Sequence, residues 1–596
     1  MTKNTNQNKS QAPHLKLLKG NPALIEEYRL KPRYECTAGG VNYIAIETDK
    51  EGNTSEKAPL HLSDPIRLIG RGTDHSGNHY RIIQWQDRIT RAKRTAALPM
   101  AEIGTQQSWQ KLQGSGIAIN SQRRKRELLA DYLQTEGKQT PYTVTDKSGW
   151  CKTAYILPNG EIIAPTDSDS PNIIYNGDTA HAYQSSGTLE EWQTHIARYA
   201  AGNSRLCLMI GAALAAPLLH LMGMESGGFH LFGDSRDGKS TAAKAALSVW
   251  GKPAELMASW TGTSLGFSNL ANARSDNLLV LDEIGQANPR HVSQTAYAVI
   301  NGVSKIQGAK DGGNRDINRW RLLLLSTGEK PLDMFLHNAK EDWNAGQAAR
   351  LPSVPSDAGQ GKGIFDTLHG YDKGSHLAEA ITQNAERYHG TAGRAFIRLL
   401  TDKPDTIAEA RHLQAGFMAT LPDMDGQART VATRFALVAA ALELAARHGI
   451  TGISDGLAFP AVKQCFDDWL ERNGSGKFED RRIMENALAF AQIHFDSGRF
   501  VSLSAAQPYD LPHNFAGYRR FTDNQDEDQF YIVPKIFLEE ICQGYDKDKV
   551  CSVLHHARWL ERNQAGNRWK HQLRGKGRLY KFKGKLPPEE LAEEQP

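Results

Sequence analysis

The sequence predicts a multidomain α/β protein with a parallel-sheet core that carries a phosphate-binding loop, a β-rich N-terminal domain and a C-terminal winged helix. Three observations support this prediction. The chain has 596 residues, which is too long for one hydrophobic core. A glycine loop, "GDSRDGKS", stands between a strand-like and a helix-like segment. Two aliphatic runs, "LLVLDE" and "RLLLLST", are typical of parallel strands that are buried on both faces.

The composition is that of an ordinary globular chain, with 40% hydrophobic and 23% charged residues. The formal net charge is only +4, so any affinity for nucleic acid must come from local patches. Six scattered cysteines without a CxxC pair argue against a zinc site and against a disulfide framework. The polar start of the chain, "MTKNTNQNKSQAP", predicts no signal peptide. We therefore expect a cytoplasmic protein.

The segments before the loop predict strands first and helices later. We expect residues 1–30 to form a flexible arm and residues 31–185 a β-rich domain. "PIRLIGRG" and "HYRIIQWQD" alternate apolar and polar residues and predict two strands of a hairpin or meander. Thr188 with Glu191 forms a capping box that opens the helical part. The apolar run 206–224 nearly reaches the length of a membrane span, but it contains a Pro and a His, which favours a buried helix.

The glycine loop is the most specific motif in the chain. Its sequence fits GxxxxGK[ST] at every fixed position, and strand-like "GGFHLF" and helix-like "STAAKAALSVW" flank it as such a loop requires. Its backbone N–H groups converge on phosphate oxygens, the lysine places a positive charge at the β and γ phosphates, and the serine offers a hydroxyl to Mg²⁺. The predicted nucleotide-binding residues are Gly233, Asp234, Ser235, Arg236, Asp237, Gly238, Lys239, Ser240 and Thr241.

Asp282 and Glu283 follow the aliphatic run "LLVL" and should lie at the carboxyl edge of a buried strand. Ligands bind at that edge in open α/β sheets. Asp282 is expected to hold Mg²⁺ together with Ser240, and Glu283 to polarise the attacking water. An acidic pair at the end of a strand is usually a solvated turn. The phosphate loop about forty residues upstream and the apolar run make that alternative weaker here.

Ser326 and Thr327 end the second aliphatic run. A polar side chain at this position would sense the γ-phosphate and orient water, and the sequence leaves open which of the two does so. The alternative is a hydroxyl that caps the next helix.

The C-terminal region 481–586 predicts a winged helix. "FYIVPKIFLEEICQG" and "DKDKVCSVLHHARWLERN" are expected to be helices, and "RWKHQLRGKGRLYKFKG" two strands around a turn. Residues 551–586 contain ten Lys and Arg against one acid, Glu561. This basic segment with interleaved aromatics predicts a nucleic-acid contact at Arg574, Lys576 and Arg578. The alternative is a protein-interaction module. Residues 587–596 are expected to be an acidic tail.

Taken together, these motifs resemble those of AAA+ ATPases. The phrases "GTLEEWQ", "GGFHLFGDSRDGKSTAAKAALSVWG", "DNLLVLDEIGQ", "RWRLLLLSTGE", "GQAARLPSVPSDAGQGKGIFDTLHG" and "RFALVAAALELA" resemble family 927 of the domains of unknown function. Its members occur in prophages, plasmids and staphylococcal chromosome cassettes, and some are similar to minichromosome maintenance helicases that load themselves as hexamers. The resemblance covers roughly residues 30–475 and implies an AAA+ core over 186–370 followed by a helical lid over 371–480.

The resemblance also implies that subunits share active sites in a hexameric ring. Arg350 then corresponds to the arginine finger, and Arg434 to the sensor arginine of the lid, which contacts nucleotide. Each is alternatively a surface or interface salt-bridge residue. The segment 303–321 would project into a central channel, where Lys305, Lys310 and Arg315 would follow single-stranded DNA. The alternative is a solvated loop. For the N-terminal domain the resemblance implies a collar that faces DNA or forms the ring.

The expected function is therefore that of an ATP-dependent DNA helicase or translocase of a bacterial mobile genetic element, acting in replication with ATP and Mg²⁺ as cofactors. Expected partners are DNA, further copies of the chain and other replication proteins of the element, and no membrane. The alternatives are an ATP-switched assembly protein and a DNA-binding regulator, neither of which unwinds DNA.

Overall fold

The computed structural model describes residues 30–167, 172–306, 308, 317–339, 341, 343, 345–424, 426–473, 478–504, 511–522, 528–563, 569–585 and 587. The chain forms two compact units. The N-terminal unit ends at Asp146 and includes Asn172–Asn176, and the rest of the chain forms the second unit. The β-rich stretch that was predicted to extend to residue 185 is thus divided between the two units. The bounds of the six predicted segments remain predictions.

The strands follow one another along the chain in this order. They are β1 Arg33–Thr37, β2 Gly40–Ile44, β3 Ile46–Thr48, β4 Thr54–Glu56, β5 Leu60–Ser63, β6 Arg67–Thr73, β7 His79–Gln86, β8 Lys93–Pro99, β9 Pro141–Thr145, β10 Gly149–Cys151, β11 Ala154–Ile156, β12 Ile162–Ile163, β13 Ile173–Tyr175, β14 Gly227–Phe232, β15 Ala258–Ser259, β16 Asn277–Asp282, β17 Leu322–Gly328, β18 Ser353–Pro355, β19 Phe500–Ser502, β20 Gly517–Arg520, β21 Gln529–Ile532, β22 Lys570–Leu573 and β23 Gly577–Lys583.

The α-helices are numbered in the same way. They are α1 Gln106–Gly114, α2 Arg123–Thr135, α3 Leu189–His195, α4 Ser204–Ala215, α5 Leu218–Met222, α6 Lys239–Ser248, α7 Pro253–Leu256, α8 Ser264–Asn272, α9 Pro289–Asn301, α10 Leu332–Asn338, α11 Ala345–Arg350, α12 Gly374–Arg387, α13 Thr391–Asp402, α14 Thr406–Ala419, α15 Gly426–Arg447, α16 Ala458–Asn473, α17 Phe478–His494, α18 Pro534–Ile536 and α19 Lys547–His556. A π-helical turn, Phe537–Cys542, continues α18.

The N-terminal unit contains a five-stranded sheet in the order β13-β9-β6-β7-β8 and a three-stranded sheet in the order β1-β2-β5. The predicted hairpin is confirmed, since β6 and β7 pair in antiparallel fashion. Helices α1 and α2 contribute Trp109 and Leu129 to the core between these elements, because each presents its apolar side to the strands.

The core of the second unit is a parallel sheet in the order β15-β16-β17-β14-β18. Every residue of β17 is buried, as expected for a strand that is covered on both faces. Leu323 and Leu325 belong to the core on the side of α4 and α6, whereas Leu322 and Leu324 belong to the core on the side of α8 and α9. The predicted parallel sheet is therefore confirmed.

The apolar run 206–224 forms α4 and α5, and every residue of α4 is buried. Pro217 precedes α5 and separates the two helices. None of the described helices combines the length and the apolar character that crossing a bilayer requires. The capping box is also present, since the Thr188 hydroxyl accepts a bond from Glu191 N while the Glu191 carboxylate accepts one from Thr188 N.

The C-terminal region forms a sheet in the order β19-β20-β21-β23-β22. The prediction of one helix for "FYIVPKIFLEEICQG" is wrong at its start, because Phe530, Tyr531 and Ile532 belong to β21 and pair with β23. Pro534, which has a fixed φ and no N–H, begins the helix instead. The helical lid and the winged helix remain predictions. The predicted arm lies outside the described residues except for its last residue, and the tail except for its first.

Candidate nucleotide site

The phosphate loop follows β14 and turns directly into α6. Gly238 has a φ of +93°, a conformation that L side chains rarely adopt. A Cβ atom at Gly233 would lie 1.9 Å from the Ser356 hydroxyl oxygen. That hydroxyl donates a 2.9 Å hydrogen bond to the Asp237 carboxylate inside the loop. Both glycines are therefore required by the shape of the turn, one for its backbone angle and one for close packing.

Lys239 is the buried cation at the centre of this loop. Its Nζ atom donates hydrogen bonds of 2.9 Å to the Gly233 carbonyl and 2.6 Å to the Asp234 carbonyl. The ammonium group is thereby held over the turn by two backbone oxygens. Phosphate oxygens can replace these acceptors, because they offer the same hydrogen bonds together with a negative charge.

Ser240, Asp282 and Thr327 form a connected oxygen cluster at the carboxyl edge of the sheet. The Ser240 hydroxyl lies 3.2 Å and 3.1 Å from the two Asp282 carboxylate oxygens, and the Thr327 hydroxyl donates to the first of them. Strand β17 lies between β14 and β16, so its polar end stands between the phosphate loop and Asp282. Carboxylate and hydroxyl oxygens fit Mg²⁺, which usually takes few protein ligands and completes its shell with water and phosphate. The described residues contain no cluster of three His, Cys, Asp or Glu side chains that could hold a metal ion.

Glu283 adopts a backbone conformation that is rare for its residue type, with a φ of +55°. Its N–H donates a 2.9 Å hydrogen bond to the Thr327 hydroxyl, and its carboxylate accepts one of 3.3 Å from Gly285 N. A left-handed conformation costs a residue other than glycine about 1–2 kcal/mol. Such strain is concentrated at functional sites, where the surrounding contacts hold it in place.

Ser326 and Thr327 point to opposite faces of β17, as alternation along a strand requires. Ser326 is fully buried, accepts a 3.0 Å hydrogen bond from Trp260 Nε1 and lies 2.8 Å from His230 Nδ1. His230 Nε2 donates to the Lys330 carbonyl at 2.9 Å, which leaves Nδ1 to accept from Ser326. Burial lowers the pKa of His230 to about 4, so the ring is neutral. Ser326 thus belongs to a closed buried network. Of the two hydroxyls at the end of β17, it is that of Thr327 that contacts Asp282.

Arg434 is buried beside Gly227, at the amino end of β14, where a Cβ would lie 1.8 Å from its Nη1 atom. The phosphate loop follows the other end of this strand, about 20 Å away at the usual rise per residue. Burial, and to a lesser extent the charge of Arg350, lower the pKa of Arg434 to about 10. Its Nε and Nη1 atoms have no hydrogen-bond partner among the described residues.

Arg350 lies at the same end of the sheet. It donates bonds of 2.6 Å to Asn301 and 2.6 Å to the exposed Glu225 carboxylate. Arg350 and Arg434 line one cavity of about 490 Å³. The structure therefore brings the two arginines together, but away from the phosphate loop of their own chain.

A second glycine segment packs on the phosphate loop, and the sequence motifs did not place it in the site. Gly359, Gly361 and Gly363 all have positive φ, and a Cβ at Gly363 would lie 2.5 Å from the Asp237 carbonyl oxygen. Beside it, a cavity of about 280 Å³ is lined by the cations Arg236, Lys362 and Lys373 among other residues. The regular spacing of glycines in "GQGKG" was the available signal for this contact.

The predicted DNA-contacting residues fall in two places. Lys305 is exposed after α9, and Lys310 and Arg315 lie outside the described residues. The turn between β22 and β23 carries exposed Arg574, while Arg578 is exposed at the start of β23. Lys576, between them, lies 5.0 Å from the centre of the Tyr518 ring. The hairpin thus groups three cations at one end of the C-terminal sheet.

The comparisons with known proteins agree with this architecture. The model of the family described as "Domain of unknown function (DUF927)" matches residues 34–319, and this range contains the phosphate loop and Asp282 but stops before Thr327 and Arg350. No curated protein matches the chain. A solved structure described as "SCCmec type IV Cch - active helicase" is similar with a TM-score of 0.67 and 17% identity, over 93% of this chain and 98% of that one.

A second structure, of the C-terminal region of NrS-1 in an apo form, has 10% identity over 72% of this chain and 92% of that one. Its TM-score is only 0.24, so the fold assignment depends on the first structure. The chain is similar to the DUF927 family over residues 34–319, and it shares the fold of the cassette helicase over most of its length.

Proposed function

We propose that this protein is an ATP-dependent DNA helicase or translocase of a mobile genetic element, which works in replication as a ring of identical subunits. The observation that carries the proposal is the Ser240–Asp282–Thr327 cluster, which joins the phosphate loop to the strand that carries Glu283. A site for nucleotide binding alone would not need a strained carboxylate beside the metal ligands. The shared fold with a structure described as an active helicase from a cassette agrees with this proposal.

Each side chain of the cluster has a distinct role in the proposed hydrolysis. Lys239 would bind the β and γ phosphates, and Ser240 and Asp282 would hold Mg²⁺, which would supply positive charge to the phosphate oxygens. Glu283 accepts a proton from the attacking water or orients it. Thr327 fixes the Asp282 carboxylate and, through the Glu283 N–H, the backbone of the residue that carries the base.

Arg350 and Arg434 act in this proposal on the nucleotide of a neighbouring subunit. Their cavity lies at the amino end of β14, too far from the phosphate loop of the same chain. A second copy that presents its phosphate edge to this cavity would supply an acceptor for the Nε and Nη1 atoms of Arg434, which have none among the described residues. Arg350 would then leave the exposed Glu225 and stabilise charge in the transition state.

DNA is the proposed substrate of the motor. The cations of the β22–β23 hairpin, Arg574, Lys576 and Arg578, would contact phosphates without reading sequence, as would Lys305, Lys310 and Arg315 in the channel. The winged helix, the helical lid, the hexameric ring and self-loading belong to the proposal on the strength of the resemblance. The second candidate is an ATP-switched assembly protein, which the cavity at Arg434 would serve equally well.

The deciding experiment compares ATP hydrolysis with and without single-stranded DNA in the wild type and in Glu283→Gln. We expect DNA to raise the wild-type rate several-fold, and the variant to lose about 10²–10⁴-fold in rate while it still binds ATP. Glu329→Gln is the matched control, because this exposed glutamate directly follows the neighbouring strand β17, as Glu283 follows β16. Hydrolysis that no DNA stimulates would favour the assembly protein instead.

A further inference from the structure

The β7–β8 hairpin of the N-terminal unit presents an apolar residue at a rigid tip. Asp87 accepts hydrogen bonds of 2.9 Å from both Ile89 N and Thr90 N, which fixes the turn. Arg91 has a φ of +58°, and its carbonyl accepts a bond of 3.2 Å from Gln86 Nε2. Ile89 is 93% exposed. These side-chain to backbone bonds hold the hairpin in shape, while the Ile89 side chain at its tip is exposed in the described part of the unit.

A cleft of about 480 Å³ runs beside this hairpin. Four cations line it, and they come from β6, the turn and β8. Polar amides and one aromatic ring complete the wall. The lining residues that bear on binding are Arg67, Gln84, Trp85, Arg88, Arg91 and Lys93.

The net charge of the cleft is positive even when its acidic residues are counted. Asp64 contacts Arg88 and also accepts a 2.8 Å bond from Ala118 N. Asp87 accepts the hydrogen bonds of the turn and pairs with Arg94 at 3.7 Å. Arg67, Arg91 and Lys93 make no ion pair among the described residues and are exposed. An open cleft with three available cations suits a polyanion rather than a small enclosed ligand.

Trp85 gives the cleft a flat apolar surface next to these cations. Its indole Nε1 donates a 3.2 Å hydrogen bond to the Ser115 carbonyl, which orients the half-buried ring. Cations beside a fixed aromatic ring and amide groups are the combination that binds single strands, because every base has a face that can stack.

We propose that this cleft is a binding site for single-stranded DNA, separate from the ATPase core. Arg67, Arg91 and Lys93 contact phosphates, Trp85 stacks on a base, and the Ile89 tip lies against the next one. The choice of DNA as the polyanion rests on the proposed function, but binding here requires neither nucleotide nor the hydrolytic residues.

The test is fluorescence anisotropy of a labelled oligothymidylate of about 20 nucleotides with the full chain, without nucleotide and at several salt concentrations. Two variants are compared, a cleft variant and a control. Both carry Arg574→Glu/Arg578→Glu, so that DNA binding by the C-terminal hairpin does not mask a loss of binding at the cleft. The cleft variant adds Arg91→Glu/Lys93→Glu. The control adds Arg123→Glu/Arg124→Glu on exposed positions of α2 in the same unit, which is an equal change of charge.

We expect the cleft variant to bind about tenfold or more weakly than the control, with a shallower dependence on salt because fewer counterions are released. Trp85→Leu should weaken binding without changing the salt dependence. Equal affinities of cleft and control variants, or binding of RNA or a protein but not DNA, would overturn the proposal. Circular dichroism and thermal unfolding report on folding in every variant. If the cleft variant binds DNA more weakly than the control while no DNA stimulates hydrolysis in the wild type, the cleft stands and the motor function falls.

Discussion

The two ends of strand β14 differ in how completely their polar groups are satisfied. At the carboxyl end, Lys239, Asp282 and Thr327 each have hydrogen-bond partners within the chain. At the amino end, Arg434 is buried with two nitrogen atoms that have no partner among the described residues. The first cluster is satisfied within one chain, whereas in the second two buried donors of Arg434 have no acceptor among the described residues, and the Glu225 carboxylate acts on the guanidinium only through its charge.

This difference has an energetic meaning. Burying a charge without a partner costs several kcal/mol, so a chain retains such a group only when something repays the cost. The lowered pKa of Arg434 reflects the same burial. In the proposed function, a complete catalytic site combines the carboxyl edge of one subunit with the arginine cavity of the next.

The largest expected effect tests this combination directly. Arg350→Ala should lower the rate of ATP hydrolysis by about 10³–10⁵-fold, because it removes a charge that stabilises the transition state, with little change in nucleotide binding. A mixture of Arg350→Ala and Glu283→Gln chains should regain part of the activity, since some interfaces then contain both intact residues. Steady-state hydrolysis measures both effects.

Arg290→Ala is the control for this prediction, because Arg290 is an exposed cation on α9 that pairs with Glu341 at 3.4 Å. It should hydrolyse ATP at the wild-type rate. If the mixture of Arg350→Ala and Glu283→Gln chains stays inactive, the two ends of β14 do not meet at the interface between subunits.

A smaller effect should separate the two hydroxyls of β17. Thr327→Val removes the donor to Asp282 and should lower hydrolysis by about 10- to 100-fold, in line with the loss of a hydrogen bond to a charged group. Ser326→Ala should instead leave the rate unchanged and lower the free energy of unfolding by about 1–3 kcal/mol, because His230 and Trp260 lose a buried partner. The rate of ATP hydrolysis and denaturant unfolding are measured for both variants. If Ser326→Ala lowers the rate and Thr327→Val does not, the sensor role belongs to Ser326.

The smallest expected effect concerns stability at the amino end. Arg434→Met should keep or raise the free energy of unfolding of the isolated chain by about 1 kcal/mol, because it removes a buried charge and keeps the volume. The same variant should lose nucleotide-dependent assembly. Arg350→Met, at a partly exposed ion pair, should bring no such gain. Thermal unfolding and light scattering test the prediction, and a marked loss of stability would show that Arg434 has a structural role.

The sequence predicted the parts of the site that depend on local spacing. The phosphate loop and Asp282 were found because a motif and a strand end mark them. The sequence did not distinguish Ser326 from Thr327. A strand that is buried on both faces shows no alternation of polar and apolar residues, so its sequence does not tell which face each side chain is on. The location of Arg434 also escaped prediction, since α15 and β14 are about two hundred residues apart in the chain. At Phe530, pairing with a distant strand outweighed the helical pattern that follows it.

Glu283 carries a consequence for how the chain can change over generations. Its left-handed backbone would be relaxed by glycine or asparagine, both of which tolerate a φ of +55°. Such a substitution should raise thermal stability while it abolishes turnover. Mutations that raise stability and selection for the proposed hydrolysis therefore oppose each other at this one position.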